Sequence, residues 1–171
     1  LPAQDRPLII AEEEIFTVGS VAGEEWETYA GVEGVAFDGE GTLYVLDAQN
    51  SRVVKVNPQG QFLATLGRSG EGPGEFLRPT TLSVTTSGEV RVFDLGHQGF
   101  TVFNPDGSFK STARVVRSSF FLPSGGLMSL PDGGMVDGGR SSGRLQVMTS
   151  GGGADQIAPR PVNRYFLTDE T

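Results

Sequence analysis

Cysteine and histidine limit the chemistry that this chain can perform. The 171-residue sequence contains no Cys and a single His, His97. A cysteine nucleophile, a thiolate metal site and a disulfide are therefore excluded, as are metal centres built from several imidazoles. A metal site would have to use oxygen ligands, as Ca²⁺ sites do. The sequence also lacks a P-loop, a dinucleotide-binding glycine motif in the right context and a serine elbow, so no residue is assigned a catalytic or metal-binding role.

Arginine side chains and a few polar and aromatic neighbours are the candidates for ligand binding. Guanidinium groups in an acidic protein can hold carboxylate or sulfate groups through paired hydrogen bonds. Alternatively, these arginines pair with nearby acidic residues and only hold long loops in place. Those acidic residues are Asp47, Asp94, Glu71 and Glu75. The candidate ligand-binding residues are Arg78, Arg52, Asn50, His97, Glu33, Phe120 and Phe121.

The overall charge narrows the classes of partner. The formal net charge is −8 and the sequence pI is about 4.6. Such a protein repels phosphate backbones and anionic lipid, and the sequence has no apolar run of about 18 residues that could cross a bilayer. We therefore expect neither nucleic-acid binding nor a membrane span. The opening residues Leu1-Pro2-Ala3 fit both a removed signal peptide and a trimmed chain, and we expect a periplasmic or extracellular protein.

An internal repeat predicts the fold. Residues 34–47 align without gaps over residues 81–94, a shift of 94 − 47 = 47 residues. The register continues from Asn57-Pro58-Gln59-Gly60 to Asn104-Pro105-Asp106-Gly107, where Pro presets φ and Gly takes the positive φ of a tight turn. Self-similarity at a period of about 45 residues is typical of solenoids and propellers.

Each repeat unit contains four short apolar runs separated by turn residues. Four antiparallel strands per unit of about 45 residues indicate a β-propeller blade. We predict an all-β fold and a single domain over 1–171, comprising about three blades and an N-terminal closing strand at Ile15–Gly19. The approximate units are 15–31, the end of a preceding blade, then 32–67, 79–115 and 125–160.

The repeat also assigns roles to single residues. His97 occupies the repeat position of Asn50, which favours a loop-stabilising role over a catalytic one. Trp26 and Phe76 fall in corresponding connections, and we predict that they wedge between blades. Phe120 and Phe121 lie in a long loop and could form a stacking platform for a sugar or a peptide.

The repeated motif resembles that of NHL-repeat propellers. That family carries an Asp, then Asn and Arg before a Val-rich strand, as in Asp47, Asn50 and Arg52 here. A Gly-rich loop ending in Gly-x-Phe-x-x-Pro follows, as in Gly74–Pro79. The second unit departs from the pattern, with His97 and Gly99 replacing the Asn and Arg. The resemblance implies a propeller of six blades, and the family includes ligand-binding, scaffold and lyase members.

The resemblance leaves three functions open. The first is a non-catalytic propeller of exported bacterial type that binds a protein, a peptide or a glycan on its loop-rich face, without a cofactor. The second is a lactonase- or lyase-like enzyme with Ca²⁺ in its channel and its remaining site residues outside this chain. Glu71–Pro73 resembles the segment that supplies a metal-binding Glu in gluconolactonase-type propellers. The third is a structural module: three units are half of a six-bladed ring, which indicates either a truncated propeller or a homodimer that completes its ring.

Overall fold

The structure is a computed structural model that describes residues 14–114 and three short strands further along the chain. Its first two sheets each contain four consecutive antiparallel strands, ordered as they occur in the sequence. The strands of the first sheet are β1 (Val32–Phe37), β2 (Leu43–Asp47), β3 (Arg52–Val56) and β4 (Phe62–Leu66). Those of the second sheet are β5 (Pro79–Val84), β6 (Val90–Asp94), β7 (Gly99–Phe103) and β8 (Phe109–Arg114).

A third sheet has three described strands, β9 (Leu127–Ser129), β10 (Met135–Asp137) and β11 (Asn163–Tyr165). They are antiparallel, and the order across the sheet is β11-β10-β9. Strand β9 lies beside β5, so the third sheet follows the second as the second follows the first. Strand β11 lies beyond residue 160, which is the predicted end of the third repeat unit. Phe120 and Phe121 lie outside the described residues.

The 47-residue repeat is reproduced in the backbone geometry of the first two sheets. Strands β1 and β5, the inner strands of their blades, each have a register shift near their start. The shift lies between Val32 and Gly34 in β1 and between Pro79 and Thr81 in β5. The Asn-Pro-x-Gly turns match as well, with φ of 80° at Gly60 and 89° at Gly107. The prediction of four-stranded propeller blades is therefore confirmed.

The main hydrophobic core lies between the first and second sheets. Side chains alternate along a strand, so Gly34 and Ala36 of β1 face the second sheet, where Gly34 lies against Leu82. The core contains buried residues from both sheets: Tyr44, Leu46, Val53, Leu66, Leu82, Val84, Val90, Val92 and Phe103.

Phe76 belongs to this core although it lies in a connection and in no strand. Its side chain is 0% exposed, and its ring meets that of Phe103 edge to face with 5.9 Å between centroids. Gly67 takes a φ of 76°, and a Cβ there would overlap the Phe76 ring. The aromatic wedge predicted at Phe76 thus lies between the two sheets.

The N-terminal segment packs on the opposite face of the first sheet. Phe16, Val18, Trp26 and Tyr29 cover a second cluster of buried residues, which are Leu43, Val45, Val54 and Val56. Residues 15–19, predicted as a closing strand, are not a strand in the structure. A strand requires backbone hydrogen bonds to a neighbouring strand, and no strand in the described part of the chain pairs with them. A short 3₁₀ helix, Glu25–Glu27, carries Trp26 onto the sheet.

We expect Phe76→Ala to lower the free energy of unfolding by about 3–5 kcal/mol, because it removes a fully buried aromatic ring and leaves a cavity between two sheets. Leu77→Ala is the matched control, since the neighbouring Leu77 is 45% exposed and should lose about 1 kcal/mol or less. Urea denaturation of both variants measures the difference. Equal destabilisation by the two substitutions would contradict the wedge.

Candidate functional site

The connections that precede the inner strands β1 and β5 lie at one end of the strands, together with the short β2–β3 and β6–β7 loops. Ala48 donates its backbone N–H to the Gly31 carbonyl at 2.8 Å, and Leu95 donates to the Arg78 carbonyl at 2.9 Å. This loop-rich end is the candidate functional site, because loops on a rigid scaffold are where binding residues concentrate.

A buried carboxylate organises the loop-rich end of the first sheet. Asp47 is fully buried, and its Oδ1 accepts hydrogen bonds from the backbone N–H groups of Ala30 and Gly31 at 3.1 and 3.0 Å. Its Oδ2 accepts from the Asn50 amide at 2.7 Å and from Arg52 Nε at 3.2 Å. Burial by itself would raise the pKa of Asp47, but these four hydrogen bonds to the charged form hold it below its ordinary value.

Arg52 extends this network to the N-terminal segment. Its Nη2 donates to the Glu25 carbonyl at 3.0 Å and to the Thr28 carbonyl at 2.7 Å, and its side chain is 10% exposed. Asn50 and Arg52, which the sequence analysis offered as ligand-binding residues, are therefore engaged within the protein. Their positions match the alternative in which polar side chains hold the long loops.

Asp94 repeats the arrangement in the second sheet, with backbone groups as donors. Its carboxylate accepts hydrogen bonds from the N–H groups of Leu77, Arg78, Gly96 and His97, at distances of 2.7 to 3.1 Å. The His97 Nδ1 lies 3.4 Å from Asp94 Oδ2, and its Nε2 is buried with no hydrogen-bond partner among the described residues. The imidazole thus lies against the carboxylate, as the amide of Asn50 does in the first sheet.

From the sequence, Asp47 and Asp94 are expected as salt-bridge partners of arginines. In the structure they are buried acceptors that fasten the connection before an inner strand to the end of the next strand, a role that the sequence reading missed. The signal was available, because the two Asp residues are identical across the 47-residue shift and each follows an apolar run.

Arg78 differs from the other described arginines of this part of the chain. Arg52, Arg68 and Arg91 each have a carboxylate partner, at 3.2, 2.7 and 2.8 Å respectively. Arg78 is exposed, and none of the described residues supplies it with a carboxylate. Its backbone is nevertheless fixed, because its N–H donates to Asp94 and its carbonyl accepts from Leu95. The residue therefore presents a guanidinium from a fixed backbone position directly before β5.

Glu33 lies at the corresponding end of the neighbouring inner strand. It is exposed and occupies the register shift between Val32 and Gly34, a bulge of the kind that turns a side chain away from the regular pleat. Strands β1 and β5 are in contact, so Glu33 and Arg78 lie near the starts of adjacent inner strands.

The Gly-rich connection between the two sheets is closed by its own contacts. Arg68 Nε and the Gly72 N–H donate to the Glu75 carboxylate at 2.7 and 2.8 Å. These bonds lower the pKa of Glu75. Glu71, in the segment that resembles a metal-binding one, is exposed on the same connection.

Within the described part of the chain, no group of three His, Asp or Glu side chains is arranged to hold a metal ion. In the same residues, no helix has the length and apolar character needed to cross a membrane.

Comparisons with known proteins agree with this architecture. Residues 31–128, more than half of the chain, match the family model described as 6-bladed beta-propeller. NHL repeat-containing protein 3 of Mus musculus is 32% identical over 72 residues, which cover 40% of this chain and 21% of the mouse protein. A crystal structure of a Bacteroides fragilis protein, named as exported, superposes with a TM-score of 0.55 at 21% identity, covering 70% of this chain and 33% of that one. The chain therefore spans about a third or less of the length of either protein.

We expect Asp47→Asn to destabilise the protein at pH 7 by about 2–4 kcal/mol, because it leaves the buried Arg52 without its counter-charge. The folded-state pKa of Asp47 is lowered, so its contribution is present above the unfolded value of about 3.9 and is lost as the pH falls through the folded value. The gap between wild type and variant should therefore narrow below about pH 4. Thermal unfolding at several pH values measures it.

The exposed Asp106 provides the control. Asp106→Asn should change the free energy of unfolding by less than about 1 kcal/mol, since its carboxylate bonds only to Ser108 in a surface turn. If the difference in unfolding free energy between wild type and Asp47→Asn did not change with pH, the proposed role of the Asp47 charge would be contradicted.

Proposed function

Because this chain belongs to the 6-bladed β-propeller family, we propose that it is a non-catalytic module that binds a ligand or partner protein at its loop-rich end. In a propeller the inner strands of successive blades surround a central channel, and β1 and β5 are the inner strands here. The loop-rich end then surrounds one mouth of that channel. Arg78 and Glu33 start from adjacent inner strands and lie at this mouth.

The observation that supports binding is the exposed guanidinium of Arg78 on a fixed backbone, with no carboxylate partner among the described residues. Its donors are then available for a carboxylate of a ligand, which can receive two parallel hydrogen bonds from them. The fixed backbone lowers the entropy cost of ordering the site. We therefore favour a carboxylate-bearing ligand, either an acidic peptide segment of a protein or a glycan with uronic acids, with Glu33 contacting a donor on the same ligand.

The test compares wild type with Arg78→Ala on acidic peptides and uronic-acid oligosaccharides, each alongside its amidated or neutral counterpart. We expect at least one acidic probe to bind and Arg78→Ala to lower its affinity about tenfold or more, since a hydrogen bond to a charged group contributes about 1.5–3 kcal/mol. Calorimetry measures the affinity.

Lys110→Ala serves as the control, because Lys110 has the same charge, is 51% exposed and pairs with Glu89 away from both sites. Its loss should change the affinity by less than about threefold. The proposal fails if no acidic probe binds, or if Arg78→Ala binds as wild type does. A rise in melting temperature specific to Ca²⁺ would instead favour the calcium-dependent enzyme.

The proposed setting is outside the cytoplasm. The Bacteroides fragilis protein that superposes on this chain is named as exported, and the absence of Cys is compatible with export. Fractionation of the source cells, followed by detection with an antibody against this chain, would test the setting. Recovery in the cytoplasmic fraction alone would contradict it.

A second candidate function is ring completion by a second copy, supported by the uncovered part of the first sheet. Val35 and Phe37 of β1 are 61% and 59% exposed, whereas their repeat equivalents Leu82 and Val84 are 4% and 7% exposed against the first sheet. The outer side of β1 therefore carries the residues of an interface between blades. In this hypothesis the third sheet of a second copy packs there, and three units from each copy make a ring of six.

Sedimentation analysis of the 171-residue polypeptide tests this candidate. We expect twice the chain mass of 18.1 kDa, and we expect Phe37→Asp to shift the protein towards monomer because it places a charge in the apolar contact. Lys110→Asp is the control, because Lys110 lies on β8, the outer strand of the second sheet. A stable monomer would contradict ring completion by a second copy and would leave this face to a further blade of a longer chain.

A further inference from the structure

A cavity of about 460 Å³ opens between the N-terminal segment and the outer strand of the first sheet. Its walls come from Glu24, Glu25 and Trp26 on one side and from Phe62 and Thr65 of β4 on the other. Arg52, Asn50, Gly67 and Arg68 complete the lining. The cavity shares no residue with the channel mouth at Arg78 and Glu33, and its volume is in the range of small-molecule sites.

The cavity is lined by an aromatic pair, with one ring from each side. Trp26 and Phe62 stack with 5.4 Å between ring centroids and 28° between ring planes. Trp26 Nε1 donates to Glu24 Oε2 at 3.1 Å, and this bond fixes the orientation of the indole. By the 47-residue shift Phe76 corresponds to Tyr29, whereas Trp26 corresponds to Pro73, so the second sheet has no equivalent of this aromatic pair at these positions. Trp26 is half-buried and Phe62 is 41% exposed, and both rings line the cavity.

The polar wall carries both signs of charge. Glu24 and Glu25 supply carboxylates, while Arg68 supplies an exposed guanidinium and Arg52 a guanidinium bonded to Asp47. Two acidic and two basic side chains select neither an anion nor a cation. The carboxylates offer acceptors, and Arg68 offers the guanidinium hydrogens that are not bonded to Glu75, whereas Arg52 is occupied by Asp47 and by backbone carbonyls. Acceptors and donors together match hydroxyl groups, since each hydroxyl both donates and accepts.

The segment that forms the Trp26 side of the cavity is held in place by hydrogen bonds from Arg52. Arg52 binds the carbonyls of Glu25 and Thr28, so the segment that carries Trp26 is fixed to the sheet before any ligand arrives. In the second sheet the repeat position of Arg52 is Gly99, which cannot make these contacts. The ordered aromatic and polar walls are thus a property of the first sheet.

From these features we propose that the cavity binds a neutral pyranose sugar. One apolar face of the sugar ring packs on the part of the Trp26 indole that Phe62 leaves uncovered, and its hydroxyl groups bond to the glutamate carboxylates and to the guanidinium hydrogens of Arg68 that are not bonded to Glu75. This site is separate from the carboxylate site proposed at Arg78, so either can fail without the other.

Trp26 is the sole Trp of the sequence, and its fluorescence therefore reports on this cavity alone. The probes are the methyl glycosides of glucose, galactose, mannose and N-acetylglucosamine, titrated to about 100 mM to cover the weak range expected for a single sugar. We expect a saturable fluorescence change with at least one of them. We also expect Arg78→Ala to leave that change intact.

Two pairs of variants at matched register positions test the location. Phe62→Ala removes part of the aromatic wall and Thr65→Arg fills the cavity, and each should weaken binding tenfold or more by the same readout. Phe109→Ala and Thr112→Arg are their repeat equivalents in β8 and should bind as wild type does. The four positions are exposed, with Phe62 at 41% and Phe109 at 38%, so folding should survive; far-ultraviolet circular dichroism checks this. The absence of a saturable change with every glycoside, or unchanged binding by both cavity variants, would overturn the proposal.

Discussion

The buried aspartate at the end of the second strand, in the first and in the second sheet, is the interaction on which the loop-rich end depends. Asp47 and Asp94 each accept four or more hydrogen bonds, and the donors come from the connection before the inner strand as well as from the following loop. A buried carboxylate is tolerated only when its lone pairs are satisfied in this way. In the first two sheets, one fully bonded side chain therefore holds both the connection before the inner strand and the following loop.

The first and second sheets have the same backbone arrangement but differ in the groups that donate hydrogen bonds to the buried aspartate. In the second sheet, the donors to Asp94 are mostly backbone groups, and the connection that carries Phe76 is buried between sheets. In the first sheet, Asn50 and Arg52 take over part of the bonding, and Arg52 reaches the segment that carries Trp26. The two sheets thus differ at two repeat positions, where His97 and Gly99 replace Asn50 and Arg52. The proposed sugar site rests on this difference between blades.

Arginines illustrate how much of a candidate site could be predicted from the sequence. The repeat placed Arg52, Arg78 and His97 at the loop-rich end, because turn residues and strand alternation fix where each loop falls. The repeat could not show whether the guanidinium of an arginine is hydrogen-bonded to backbone carbonyls of the protein. For Arg52 these carbonyls belong to Glu25 and Thr28, which lie 27 and 24 residues away in the sequence. The exposed guanidinium of Arg78, which no described carboxylate contacts, and the cavity beside Trp26 became visible only when distant residues were placed.

The sequence by itself determined the four-stranded blade, its 47-residue period and the turns at Asn57–Gly60 and Asn104–Gly107. These features depend on local alternation and on the backbone preferences of Pro and Gly, which neighbouring residues alone control. Tertiary structure decided that residues 15–19 form no strand, that Asp47 and Asp94 are buried hubs, and which face of β1 stays uncovered. Each of these outcomes depends on partners far away in the chain, and a local pattern contains no information about whether such a partner is present.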